Sequence, residues 1–576
     1  MSSTIKIPIR FRPALVDALK DYSRSKFLAD LNSGVTVGIV AIPLAIGFAI
    51  ASGVSPIAGL MTAIVAGFLI SALGGSRFQI GGPTGAFVPI LAGIVASYGV
   101  DELMICGFMA GVMLVLMGMA GLGKVIKYIP YPVTMGFTSG IAVIIFVGEI
   151  KDFLGLPIEH LDPDFLPKMG QYVETLRHLN WTALAVGAGV VLIMTFWPSR
   201  WQRFIPGSMV SLVVASLAVQ KFNLHVSTIG RTLLENGMFE NSNLKILQGL
   251  PAFHLPHLRL SEIPLLMGPA MTVAMLGSIE SLLSAVVADG LTSDRHDSNQ
   301  ELMAQGIANI FSPFCGGIAA TGAIARTSTN IRFGATSPVS GMIHSLFLLV
   351  IVLVAAPLAN AIPLCALAGI LLVVAFKMGE WHEFARLRRL PRSDALVFIV
   401  VFLLTVLMNL TWGVGVGVVL AALLFIKRVS ETSDVTPLDA THPETGGRPV
   451  WADESWPDGV YLFRVQGAFF FGTADMLETS FRRAGAQLRV MVLLCEDVFS
   501  MDATGLNALE SLHERLHHHH RHLILCKVAR QPLEVITQSG FLDELGKDNL
   551  AVSVEDALQR ARALLYSPEA RAGSTN

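Results

Sequence analysis

Charge is what this sequence has least of. Only 15% of its 576 residues are Asp, Glu, Lys or Arg, against about 25% in soluble domains. The formal net charge is −2, so no basic field points to nucleic acid as a partner. Cysteine is scarce as well. Cys106, Cys315, Cys365, Cys495 and Cys526 show no CxxC or ligand-like spacing, which argues against a disulfide framework and indicates no metal site. No P-loop, HExxH or nucleophile–base pattern occurs, so nothing supports catalysis or a cofactor. What is abundant is apolar. The set AVILMFWYC makes up 53% of the chain; counting its 53 Gly and leaving out its 7 Tyr brings the share to about 61%, against about 45–50% in soluble proteins. With a mean hydropathy of +0.61, the chain reads as a membrane protein.

Its organisation follows from where that character changes. Residues 1–30 are basic and mixed, without the apolar core of a secretory signal, and read as a cytoplasmic N-terminal segment. Residues 31–428 form the membrane part, 429–459 a linker rich in Pro, Asp, Glu and Thr, and 566–576 a polar tail. Between them, 460–565 alternates strand and helix signals, the pattern of a small α/β domain. A spanning helix needs about 20 mostly apolar residues. Eleven stretches meet this, and 84–98, 301–312 and 321–333 are too short or polar to span alone; together they make fourteen segments. With the N-terminus inside, the even-numbered loops then hold Arg77, Lys124, Arg200, Arg295, Arg332 and the cluster from Lys377 to Arg392, while the odd loop 149–180 is acidic on balance. The loop 221–262, with Lys221, Arg231, Lys245 and Arg259, fits less well. The expected fold is a polytopic α-helical membrane protein of fourteen segments with both termini cytoplasmic.

An internal echo carries the functional reading. Gly81-Gly82-Pro83-Thr84-Gly85-Ala86-Phe87 follows the start of the first span by roughly as much as Gly316-Gly317-Ile318-Ala319-Ala320-Thr321-Gly322-Ala323-Ile324 follows that of the eighth. Each places a Gly pair before Thr-Gly-Ala, and each Thr-Gly-Ala opens a short segment. Seven spans lie between the copies, an odd number, so the second is inverted. Inverted repeats with interrupted segments at matching positions point to a secondary-transporter site at the bilayer midplane. A half-helix that starts there has unpaired N–H groups and a partial positive charge, and two such ends make an anion cradle. Gly85 and Gly322 would let an oxyanion approach the backbone; Thr84 and Thr321 would cap the helices or offer hydroxyls. Glu280 lies inside the eighth span, where a carboxyl is functional by default; it is either a proton-coupling group or a structural partner of Arg326. Arg326, one turn past the second Thr-Gly-Ala, either sets a positive field at the substrate or anchors the half-helix. In the C-terminal domain Asp502 and Thr504 stand where a helix cap is expected.

These residues resemble the SulP (sulfate permease) family, bacterial relatives of solute carrier family 26. The resemblance rests on Gly34 to Pro43, Ser55-Pro56, Gly59-Leu60, Gly75-Ser76-Arg77, Gly82-Pro83-Thr84, Asn299 to Gly306 and the Thr321-Gly322-Ala323 region, and the C-terminal domain resembles a STAS domain. It implies a seven-plus-seven inverted repeat of the uracil-transporter type, split into core and gate domains. It also implies elevator-like anion transport, a homodimer, and a substrate site between the third and tenth segments. Carried over by position, that site comprises Thr84, Gly85, Ala86, Phe87, Thr321, Gly322, Ala323 and Ile324, with Glu280 for coupling. Leu44 stands where many members have Gln, which removes an amide donor. Glu280 stands where members resembling sodium–bicarbonate carriers have Asp. Together these resemble bacterial proton-linked carriers of C4-dicarboxylates such as fumarate and succinate, in the inner membrane. The alternatives are a bicarbonate or sulfate carrier, an anion channel, or a membrane-anchored sensor that recruits a cytoplasmic protein through the STAS domain. Thr504 occupies the position phosphorylated in STAS antagonists.

Overall fold

The computed structural model describes residues 11–126, 130–158, 161–162, 164–202, 206–231, 262–408, 410–437, 457–470 and 487–566. Most of the loop 221–262, residues 1–10 of the N-terminal segment, much of the expected linker and nearly all of the polar tail lie outside the described residues. The chain divides into two compact units, Met1–Ala421 and Ala422–Asn576.

Among the described residues the helices of the membrane part include α1 Arg24–Ala51, α2 Pro56–Leu73, α3 Val88–Tyr98, α4 Val100–Met119, α5 Tyr131–Gly148, α6 Trp181–Phe196, α7 Gly207–Lys221, α8 Ile263–Thr292, α9 Ser298–Phe311, α10 Ile324–Arg332, α11 Val339–Ala355, α12 Leu364–Met378, α13 Arg392–Leu407 and α14 Leu410–Glu431. A helix thus lies in each expected segment, but these helices do not establish fourteen spans. Among the described residues six helical stretches are long and apolar enough to cross a bilayer, or seven if the bent pair Phe165–His178 and Trp181–Phe196 is one span. Local chemistry sets several starts. Ser23 accepts from Lys26 N ahead of α1, Asn180 from Thr182 N and Ala183 N ahead of α6, and Asp297 from Asn299 N and Gln300 N ahead of α9. Pro56 opens α2, where its missing N–H costs nothing. Large apolar side chains such as Trp181, Phe196, Val354 and Phe425 stay exposed on the outer helix faces, as hydrocarbon permits. Inside, small residues let backbones meet. A Cβ on Gly306 would lie 2.6 Å from the Gly111 carbonyl oxygen, so α4 and α9 touch along their backbones.

The second unit is an α/β domain. Its sheet runs β3 (Asp434–Pro437), β4 (Val460–Phe469), β5 (Val490–Met501), β6 (His522–Cys526), β7 (Leu550–Ala551), with β3 antiparallel to β4 and the rest parallel. Helices α15 Ala503–His518, α16 Arg530–Gln538 and α17 Val554–Leu565 cover it. Alternation along the strands splits the core in two. Met491, Leu493, Leu523 and Leu525 face α15 and α16 with Leu512 and Ile536, while Val490, Val492, Ile524 and Cys526 face α17 with Val554 and Ala557. The stretch read as a linker, 429–459, therefore begins in α14 and contains β3; a Pro-, Asp- and Thr-rich strand at a sheet edge does not look like a strand in sequence.

Candidate functional site

The two Thr-Gly-Ala copies meet. Gly81–Gly82 (β1) and Thr321–Gly322 (β2) form a two-stranded antiparallel sheet with Gly81 opposite Gly322 and Gly82 opposite Thr321. Ala323 N donates to the Ile80 carbonyl at 2.8 Å. Each extended segment is also held from the other half of the chain. Thr327 Oγ1 accepts from Ile80 N (3.1 Å) and Thr62 Oγ1 accepts from Ile318 N (2.7 Å). Asn309 bonds both backbone groups of Ala320, accepting from its N–H at 2.8 Å and donating to its carbonyl at 2.9 Å.

From this crossing the chain enters two short helices. The 3-10 turn Gly85–Phe87 leads into α3, and α10 has nine residues, about 14 Å of rise and roughly half a bilayer core. Thr84, Gly85, Ala86, Phe87, Thr321, Gly322 and Ala323 are all buried, and Ile324 is half-buried. The sequence reading is brought together here, with three changes of detail. First, neither threonine caps its helix: Thr84 and Ala323 are the N-cap residues, and neither makes a side-chain cap bond. Thr321 Oγ1 donates instead to the Gly277 carbonyl on α8 (2.9 Å), and Thr84 Oγ1 is buried without a partner among the described residues. Second, the space beside Gly322 is already filled. A Cβ there would stand 2.1 Å from Gln79 Nε2, whereas at Gly85 the nearest atoms are Ile145 Cδ1 at 3.1 Å and Phe48 Cε1 at 3.3 Å. Third, Arg326 is not Glu280's partner. Its Nη2 donates to the Pro83 carbonyl, tying the second half-helix to the first, and its Nη1 is buried without a partner among the described residues.

Helix α8 runs beside both half-helices. Gly277 lies against the Phe87 ring, so that a Cβ would be 3.3 Å from Cζ. Ser281 binds Gln79, and Ser284 donates to Thr327 Oγ1 at 3.1 Å. Between these contacts, Glu280 is 7% exposed and forms no hydrogen bond or ion pair among the described residues. A carboxyl without a charge partner in a membrane helix is costly, which makes Glu280 a candidate functional residue. Leu44 is buried in α1. In the C-terminal domain Asp502 accepts from Gly505 N at 2.7 Å and is the cap of α15, leaving the Thr504 hydroxyl exposed in the first turn. The residue that sequence reasoning missed is Glu301, quoted only within a motif; it is fully buried next to this crossing.

Comparison with known proteins places this geometry. Residues 27–401 match the sequence profile of the sulfate permease family, and 456–557 that of the STAS domain. The chain is 42% identical over 92% of its length, and 97% of the other's, to YvdB of Bacillus subtilis (strain 168), which carries a provisional sulfate-transporter name. It is 31% identical to the bicarbonate transporter BicA of Picosynechococcus sp., over 93% of this chain and 95% of that one. Among solved structures, the transmembrane domain of a cyanobacterial bicarbonate transporter BicA superposes with a TM-score of 0.60 at 31% identity, covering 70% of this chain and 98% of that one. The murine solute carrier 26 family member A9, in its inward-facing state, matches with a TM-score of 0.83 at 19% identity over 98% and 96% of the two chains, a likeness of fold.

Proposed function

The chain belongs to the sulfate permease family, and from that premise we propose that the anion it carries is bicarbonate. It is an integral multi-pass membrane protein and a secondary anion transporter, not an enzyme. The observation that carries the finer reading is the crossing of β1 and β2, which sets two half-helix N-termini beside one another with a single guanidinium, that of Arg326, bridging them. Amides and one buried cation suit a small monoanion, and Leu44 offers no further donor. The similarity to BicA supports the same choice. Sulfate is the second reading, favoured by the higher identity to YvdB. The C4-dicarboxylates expected from Leu44 and Glu280 give way, because the relatives above are named for sulfate or bicarbonate.

In this proposal Thr84 to Phe87 and Thr321 to Ile324 line the substrate, with the Thr84 hydroxyl free to bind it, and Glu280 carries a coupled proton. The fourteen helices form inverted halves that split into core and gate, and the core moves in an elevator-like step within a homodimer in the bacterial inner membrane. The STAS domain faces the cytoplasm, where it docks a protein partner and presents Thr504 for phosphorylation. The test is uptake into proteoliposomes of radiolabelled bicarbonate, sulfate, fumarate and succinate. Saturable accumulation of bicarbonate, outcompeting the others, is expected. Accumulation of sulfate alone favours the second reading, current without accumulation makes the protein a channel, and binding without uptake makes it a sensor.

A further inference from the structure

We infer that Glu301 is the positioning residue of the transport site, a buried carboxylate that fixes both half-helix entrances and the Glu280 segment of α8 through one hydrogen-bond network. The inference rests on the reading of the paired half-helix ends as the anion site.

The network converges on one acceptor group, while Gln79 Oε1 and Gln305 Oε1 are buried without a partner among the described residues. Glu301, in the first turn of α9, is 0% exposed. Its Oε2 accepts from Gly75 N (3.0 Å) and Ser76 N (3.2 Å), and its Oε1 accepts from Gln79 Nε2 (3.0 Å), Gln305 Nε2 (3.1 Å) and Ser281 Oγ (3.3 Å). The other proton of Gln79 Nε2 goes to Ser281 Oγ at 2.8 Å. Five donors from three segments, the 75–79 loop, α8 and α9, therefore converge on one carboxyl group.

Four of the five donors lie at the site; the fifth, Gln305, is one turn further along α9. Gly75 and Ser76 begin the loop that runs through Gln79 into β1 and the first half-helix. Gln79 is the residue whose amide fills the space beside Gly322 in β2, 2.1 Å from where a Cβ would stand. Ser281 follows Glu280 in α8. Glu301 thus sets the first entrance directly and the second through Gln79, and it fixes the turn of α8 that presents Glu280. An amide replaces it only with rearrangement. With Gln at this position the oxygen serves one set of donors and the introduced NH2 faces the other, so the Gln79 or Gln305 amide, whose Oε1 is buried without a partner among the described residues, has to turn over to accept. Moving the carboxylate to position 79 restores most of the balance: the introduced amide oxygen serves Gly75 and Ser76, its NH2 and the Ser281 hydroxyl donate to the new carboxylate, and Gln305 Nε2 is the one donor left to re-pair.

The experiment uses full-length protein and compares wild type, Glu301→Gln, Ser281→Ala and the double variant Gln79→Glu/Glu301→Gln. Hydrogen exchange is read on peptides covering 75–87 and 318–326, and transport on radiolabelled bicarbonate and sulfate. Glu301→Gln is expected to speed exchange in both peptides and raise KM, each by at least about tenfold, with the maximal rate within about threefold. The double variant should recover most of both losses. If Glu301→Gln does not fold, Ser281→Ala must still speed exchange in both peptides by at least about threefold. Native exchange in either folded single variant overturns the inference, as does a double variant no better than Glu301→Gln. Faster exchange with an unchanged KM for both anions upholds the network but overturns the site reading beneath it, so the two failures are told apart.

Discussion

The two glycines of the repeated motif are equivalent in sequence and unequal in structure, and a single added methyl separates them. At Gly322 the Cβ of Ala would meet Gln79 Nε2 at 2.1 Å and Ser281 Cα at 3.2 Å. Gln79 cannot swing aside freely, because its amide is held by Ser281 Oγ and Glu301 Oε1. Yielding breaks both bonds; one to a neutral hydroxyl contributes about 1 kcal/mol and one to a carboxylate about 1.5–3 kcal/mol. Gly322→Ala should therefore cost about 2–4 kcal/mol. At Gly85 the nearest atoms are ends of the Ile145 and Phe48 side chains at 3.1 and 3.3 Å, which give by tenths of an ångström. The helical preference of Ala over Gly, about 0.5–1 kcal/mol, offsets that strain, so Gly85→Ala should be close to neutral. Thermal unfolding of the full-length protein in detergent reads the difference, with bicarbonate uptake as the functional partner. Equal melting shifts for the two variants, or a Gly322→Ala protein as stable as wild type, would refute the packing argument.

Three further outcomes follow. Glu280→Gln should abolish accumulation driven by an inward proton gradient while sparing anion exchange; full gradient-driven uptake removes Glu280 from coupling. Asp502→Ala removes the cap of α15 and should destabilise the C-terminal domain by about 1 kcal/mol, read as a lower denaturant midpoint for that domain's signal in the full chain. His513 lies half-buried with its ring edge-on to Phe541 at 5.7 Å, and burial pushes its pKa below the ordinary 6.5. The unfolded chain therefore binds the proton first as pH falls, so the His513 contribution is complete above about 6.5 and is lost below it; His513→Leu should flatten that dependence between about pH 7.5 and 5.5.

The Gly-Gly…Thr-Gly-Ala echo leads to two segments that the fold pairs as β1 and β2, because a repeated motif and a short segment are both local patterns. It did not reach what the pattern's members touch. Thr321 turned to α8 rather than to its own helix, and Arg326 to Pro83 rather than to Glu280, since each partner lies far away in sequence and no spacing rule selects it. Glu301 was hidden for the same reason: its donors at 75, 76, 79, 281 and 305 come from three segments, and a Glu in the first turn of an amphipathic helix ordinarily reads as solvated. In the C-terminal domain, β4, β5, α15 and β6 were legible from strand–helix alternation, but β3 was not, because its stability comes from pairing with β4 and not from its own composition.

The β1–β2 crossing also bears on how the molecule is made. Its strands are Gly81–Gly82 and Thr321–Gly322, so the ribosome delivers the first long before the second. Until Thr321 emerges, the Gly81 and Gly82 backbone has no strand to pair with, and an unpaired peptide group in hydrocarbon costs several kcal/mol. Residues up to 320, inserted alone, lack the partner strand of Gly81 and Gly82. A chain that ends before residue 321 therefore cannot form the crossing, which needs segments from both ends of the membrane part.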